Sequence, residues 1–159
     1  MIFVTVGTQL PFDRLMRAMD DWAAHHPETH VVAQSGKSRF IPVHMEWERH
    51  LNKDAFRSRC EKASLIVSHA GIGTILLAME LRKPIVIMPR RADLHEHRND
   101  HQLATAKQLA GRHGIRVVQN DVDLDRTLCE PLAPMTDHAF SPWASEELLE
   151  TVRQFIKNA

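Results

Sequence analysis

A buried-strand run, Leu65-Ile66-Val67, passes through Ser68-His69-Ala70-Gly71-Ile72-Gly73-Thr74 into a helical run, Ile75-Leu76-Leu77-Ala78-Met79-Glu80-Leu81. A strand that turns straight into a helix is half of a βα unit, the piece from which a parallel sheet covered by helices is built when it repeats. Two glycines at the junction let the backbone turn tightly and let a ligand approach it closely. The first helical turn then offers unpaired N–H groups and the positive end of a dipole, which suit a phosphate. Thr74 adds a hydroxyl, and His69 falls at the strand's carboxyl end, where open α/β sheets bind ligands. The same junction can equally serve only to pack a helix on a strand, so the rest of the chain must decide.

Strand-like and helix-like segments alternate along the sequence. Ile2 to Val6 reads as a first strand ending at Gly7-Thr8. Phe12, Leu15, Met16, Met19, Trp22 and Ala23 then fall on one helical stripe. Thr29 to Gln34 reads as a second strand, stopped by Ser35-Gly36-Lys37. Phe40 to Val43 reads as a short third strand, bent or at an edge because of Pro42. Helix is expected from about Lys53 to Ala63, and strand from Pro84 to Pro89. A polar loop from Arg90 to Glu96 should lead into a helix reaching about Arg112. Ile115 to Gln119 completes the strands, and Asp121 opens a short helix. After a proline-containing link from Pro131 to Pro142, a last helix is expected from Ser145 to Lys157, with Leu148, Leu149, Val152, Phe155 and Ile156 on one face. The expected fold class is α/β, a Rossmann-like parallel sheet flanked by helices, in a single domain over residues 1–159.

Several function classes are disfavoured. The 20 basic and 20 acidic side chains cancel, so no bulk field draws the chain to nucleic acid or anionic lipid. Tyrosine is absent and aromatics are sparse, which argues against base-stacking platforms. No apolar run approaches the roughly 20 residues needed to span a bilayer. The first residues read as a strand and not as a signal peptide, and Cys60 and Cys129 make no metal-type pair, so a reduced, cytoplasmic setting is expected. There is no Gly-x-Ser-x-Gly elbow, no Walker-type Lys-Ser/Thr after the glycines, and no G-x-G-x-x-G after the first strand.

Four loops at strand ends carry glycine or polar residues: Gly7-Thr8-Gln9, Gln34-Ser35-Gly36-Lys37, the Gly71-Gly73 turn, and the exit after Pro89 with Asn99-Asp100-His101-Gln102. Together they point to one shared cleft. Glu80 is either an exposed face residue or an acceptor for a ligand hydroxyl. His97 and His101 are four apart and would share a helix face. However, His95-Glu96-His97-Arg98-Asn99 lacks the second histidine of H-E-x-x-H, and no further ligand completes a metal shell. Asp121-Val122-Asp123 resembles a D-x-D cation pair, but at a helix start these acids fit capping and the dipole better.

As an ordered set these motifs resemble the C-terminal, donor-binding half of family 28 glycosyltransferases of the GT-B fold. The residues that carry the likeness are Val4-Thr5-Val6-Gly7-Thr8, Gln34-Ser35-Gly36, Ser68 to Thr74, Pro84 to Pro89, and Glu96-His97-Arg98-Asn99-Asp100-His101-Gln102. The chain is similar in extent to small one-domain members, such as the cytosolic subunit of the two-part dolichol-linked N-acetylglucosaminyltransferase and bacterial relatives in exopolysaccharide and capsule assembly. The likeness covers about Met1 to Gln119, and more loosely the last helix.

The resemblance implies a UDP-sugar donor, inversion at the anomeric carbon, and no metal or other cofactor. It implies that Gly71, Gly73 and Thr74, with His69 and Ala70 in the same turn, hold the diphosphate. Gly7 and Thr8 would approach from the opposite loop, and Gln34 and Gly36 would line the nucleotide side. Glu80 would accept the ribose hydroxyls. Asp100 and Gln102, with Asn99 and His101 nearby, would read the sugar, and Phe40 to Met45 would wall the base. A complete GT-B enzyme has two lobes and this chain supplies one. The general base is therefore either His69 or a group on a second, membrane-attached polypeptide that presents a lipid-linked saccharide and recruits this chain to the inner face of the membrane. Residues 143–159, with Trp143 before the helix, would dock on that partner or pack back on this domain. Two other readings remain: a non-catalytic nucleotide-sugar-binding regulatory module, and a homo-oligomeric transferase that needs no partner.

Overall fold

The apolar runs become strands buried on both faces, as a parallel sheet covered by helices requires. The structure is a computed structural model that describes residues 1–133 and Met135; the segment 143–159, with Trp143 and the helix expected there, lies outside the described residues. In chain order the elements are β1 (Ile2–Thr5), α1 (Asp13–His25), β2 (Val31–Gln34), β3 (Glu46–Glu48), α2 (Lys53–Lys62), β4 (Leu65–His69), α3 (Ile72–Glu80), β5 (Ile85–Met88), α4 (His101–Leu109), β6 (Ile115–Val117) and α5 (Asp121–Cys129).

All strand pairings are parallel, in the order β3-β2-β1-β4-β5-β6. The chain winds outward from β1 in one direction, then returns to place β4 on its other side. β1 and β4 therefore flank the switch point, where the loops leaving their carboxyl ends diverge and open a crevice. Their register, Val4 beside Val67 and Thr5 beside Ser68, brings the Gly7 loop and the Gly71 turn to the same edge.

Alternate residues along each strand feed two cores. Ile2, Val4, Val67, Val86 and Met88 pack with Phe12, Leu15, Met16 and Met19 around α1, and with Leu124 of α5. Phe3, Ile66, Ile85 and Ile87 pack on the other face with Ile75, Ala78, Ala106 and Leu109. Each large aliphatic side chain buried this way contributes about 1.5–3 kcal/mol.

Two elements depart from expectation. The third strand is Glu46–Glu48, and Phe40 to Val43 is irregular. The cause is α1, whose acids capture the backbone of that segment. Asp13 Oδ1 accepts from Arg39 N at 2.8 Å and from Phe40 N at 3.3 Å. Asp20, buried on α1, accepts from Val43 N at 3.0 Å and His44 N at 2.8 Å. Pro42 has no N–H to give to a ladder. The helix expected from about residue 97 begins only at His101 and stops at Leu109. Side chains hold the preceding loop: Glu96 accepts from Arg91 N at 3.0 Å, and Asp100 from Ala92 N at 3.0 Å. At the far end Gly111, at φ +81°, turns the chain away before Arg112. Helix α5 opens as expected with Asp121 and Asp123 in its first turn, but Asn120 is the residue that caps it.

Candidate functional site

A cleft of about 530 Å³ opens at the carboxyl ends of β1 and β4. Gly7, Thr8, Gln34, His69, Gly71, Gly73, Thr74 and Gln102 all line it, so residues far apart in sequence converge there. One wall is apolar, made by Leu51, Phe56 and Leu77. Phe56 is braced edge-on against Phe3 of the core at 5.5 Å.

The floor is built from two glycine turns that clasp one imidazole. Gly7 has φ +74°, and a Cβ there would fall 2.7 Å from His69 Cε1. A Cβ on Gly71 would fall 2.2 Å from His69 Nε2. Both positions therefore exclude side chains, and the ring fills the space between two backbones. Gly36, at φ +54°, supports the first turn from below, since a Cβ there would meet Gly7 O at 2.3 Å. Thr5 Oγ1 accepts from Gly7 N at 3.3 Å and donates to Gln34 Oε1 at 2.6 Å, which fixes the loop to the second strand.

Burial, and after it the positive charge of Arg90, pull the His69 pKa down to about 4. The ring is neutral at physiological pH and is a weak base. Arg90 itself is buried, and desolvation lowers its pKa to about 10, so it stays charged. Its guanidinium donates to Val6 O at 2.7 Å, Leu10 O at 2.7 Å, Glu96 O at 3.2 Å and Pro11 O, and lies over the Phe12 ring. Arg90 thereby ties the loop after β1 to the exit of β5. Gln102, buried, accepts from Arg90 N at 3.1 Å through Oε1, which leaves its NH₂ as the free donor.

The amides of the β4–α3 turn are divided. Gly71 N donates to His69 O at 2.8 Å and Ile75 N to Gly71 O at 3.3 Å. Those of Ile72, Gly73 and Thr74 belong to the first turn, where no intrahelical acceptor exists. Gly71 caps α3 without a side-chain hydrogen bond, and the first turn holds no acid. A Cβ at Gly73 would meet nothing within 4 Å, so the turn is open to a ligand.

Six expected site residues lie outside the cleft lining. Ala70 is buried in the core and Gly36 sits beneath Gly7. Asn99, Asp100 and His101 are exposed at the start of α4, with Asn99 Oδ1 bonded to His101 Nδ1 and the His97 ring edge-on to His101 at 4.4 Å. Glu80 is exposed and paired with Arg57, Oε1 to Nη2 at 2.8 Å. It stands six residues beyond Thr74, about 9 Å farther along the axis and about 120° around it. Leu77, one turn nearer, takes the cleft position. Phe40 to Met45 lie off the cleft, with Met45 buried against the α1 core.

Sequence reasoning missed Arg90, His97 and the α2 wall of Lys53, Phe56 and Arg57. Lys53 and Arg57 carried a usable signal, since their spacing of four puts them on one helical face. Among the described residues no group of three or more His, Cys, Asp or Glu could hold a metal, and no helix is long and apolar enough to cross a membrane.

Comparison with known proteins agrees with this architecture. The family model described as "Glycosyltransferase family 28 C-terminal domain" matches residues 1–148. The mouse UDP-N-acetylglucosamine transferase subunit ALG13 is 32% identical over 117 residues, covering 67% of this chain and 10% of that protein. Its human counterpart is 30% identical over 123 residues, covering 68% and 10%. The chain thus spans about a tenth of the length of the curated relatives it matches. Among solved structures, the NMR structure of ALG13 superposes with TM-score 0.60 at 17% identity, over 95% of this chain and 93% of that one. The crystal structure of the glycotransferase of kitacinnamycin gives 0.58 at 20% identity, over 99% and 39%. These two share the fold: a Rossmann-like parallel sheet corresponding to one lobe of a GT-B glycosyltransferase.

Proposed function

The chain belongs to the glycosyltransferase family 28 C-terminal domain family, and from that premise we propose that it is the donor-binding subunit of a transferase that moves a sugar from a UDP-sugar to a lipid-linked saccharide. The observation that carries this reading is the uncapped first turn of α3, which faces the cleft across from Gly7. The amides of Ile72, Gly73 and Thr74, the Thr74 hydroxyl and the helix dipole converge where a pyrophosphate would lie. Negative charge grows on the leaving UDP as the glycosidic bond breaks. Fixed N–H donors aimed at that charge stabilise the transition state without reorganising, and no metal is needed for it. Direct displacement from the opposite face of the sugar inverts the anomeric carbon.

Gln102 can donate its NH₂ to a sugar hydroxyl, and Leu51, Phe56 and Leu77 offer an apolar wall to the nucleoside. Glu80 holds Arg57 through Oε1, which leaves Oε2 to accept a ribose hydroxyl. His69 is poorly suited as the general base, because its pKa of about 4 leaves it little affinity for the acceptor's proton. The base therefore belongs to a second polypeptide, membrane-attached, that completes the cleft and brings this chain to the cytoplasmic face. The mouse and human relatives are named as subunits of a transferase, which supports a divided enzyme.

Titration of the purified chain with a panel of UDP-sugars, followed by transfer assays with and without the membrane fraction it co-purifies with, tests this. The expected result is binding by the chain alone and transfer only with the partner. Transfer by the chain alone, rising steeply with its concentration, would favour a homo-oligomer. Glycan synthesis unaffected when binding is abolished would leave a regulatory module.

A further inference from the structure

The cleft has a charge pattern that the protein as a whole lacks. Acidic and basic residues balance in the sequence, yet no Asp or Glu lines the cleft among the described residues, while Lys53, Arg57 and Arg90 do. The three cations differ in what already neutralises them. Arg90 is committed to backbone carbonyls of the Gly7 loop and of Glu96. Arg57 is held by Glu80 at 2.8 Å and by Glu61 at 3.0 Å. Lys53 is exposed and has no ion pair among the described residues. It also stands in the first turn of α2, the end of a helix where a cation is disfavoured by the dipole. Its charge faces a cleft whose other side is the positive end of α3, so both sides of the cleft favour an anion.

We propose that Lys53, with Arg57 one turn along the same face of α2, is the counter-charge for the phosphates of a nucleoside diphosphate seated at the first turn of α3. This rests on the functional reading above and adds a specificity residue to it: a side chain that distinguishes phosphorylated from unphosphorylated nucleosides. Lys53 closes on the anion from the α2 side and does in the cleft what a divalent cation does elsewhere. Arg57, already shared by two carboxylates, contributes less.

The test compares the full chain with Lys53→Gln, Lys53→Arg, Arg57→Gln and Gly73→Asp, titrated calorimetrically with UDP and with uridine at low and at moderate salt. A charge-assisted contact of this kind is worth about tenfold in affinity. Lys53→Gln should therefore weaken UDP about tenfold, leave uridine within about twofold and flatten the salt dependence. Lys53→Arg should restore most of the affinity, and Arg57→Gln should cost roughly threefold. Equal UDP affinity in Lys53→Gln and wild type, while Gly73→Asp binds roughly a hundredfold more weakly, overturns the role of Lys53 and leaves the functional reading standing. Equal losses for UDP and uridine also overturn it, because Lys53 would then be shaping the cleft. Failure of the wild-type chain to bind UDP overturns both.

Discussion

Helices α3 and α5 are both nine residues long and both follow a parallel strand, yet they begin in opposite ways. At α5 the sequence completes its own helix end. Asn120 Oδ1 accepts from Asp123 N at 2.8 Å, and Asp121 and Asp123 set negative charge against the dipole. At α3 the cap is glycine, no side chain answers the amides, and no acid occupies the first turn. An unfinished helix end at a solvent face would be a small, needless loss of stability. At the mouth of a cleft, it leaves backbone donors of the kind that suit an anion.

The comparison can be broken by giving α3 what α5 has. Gly73→Asp places an acid in the open first turn, where the new Cβ meets nothing within 4 Å. UDP affinity should fall roughly a hundredfold through like-charge repulsion. Folding stability should rise by about 0.5–1 kcal/mol, because glycine is lost from a helix and the dipole gains a partner. Calorimetric titration and chemical denaturation read the two effects, and their opposite signs separate ligand loss from damage to the fold. Gly71→Ala tests the clasp around His69: a Cβ 2.2 Å from Nε2 must displace the ring. Stability should drop about 1–3 kcal/mol, with UDP affinity reduced at least about tenfold as the turn shifts.

The clasp also has a pH signature. His69 falls from 6.5 to about 4 on folding, so between those values the unfolded chain binds a proton that the folded chain does not. Its contribution is complete above pH 6.5 and is lost as pH falls toward 4, by about 1–3 kcal/mol. Urea denaturation across that window should show His69→Gln with the shallower loss. The smallest effect belongs to the finished helix. Asn120→Ala should cost about 1 kcal/mol of stability and leave UDP affinity within about twofold.

The sheet was legible in the sequence because strands buried on both faces leave continuous apolar runs. Ile2 to Thr5, Leu65 to Val67 and Ile85 to Met88 all read as strands and form its centre. The Gly71–Thr74 turn was legible because glycine at a strand–helix junction has few purposes. What escaped were elements set by distant partners. Asp13 and Asp20 divert the Phe40–Val43 segment, and nothing within that segment announces their reach. Arg90 acts on the loop after β1, about eighty positions away in sequence. The Arg57–Glu80 pair appears only once two helices are docked. Local pattern marks the central strands and most helices, and only the assembled sheet reveals which charged side chains meet.

The most direct test is a crystal structure of the chain with UDP, grown in the presence of a chelator. The account predicts pyrophosphate oxygens within hydrogen-bonding distance of the Ile72, Gly73 and Thr74 amides, with no ion between them. Nucleotide bound with that turn empty, or bound only when a divalent ion is restored, would contradict it.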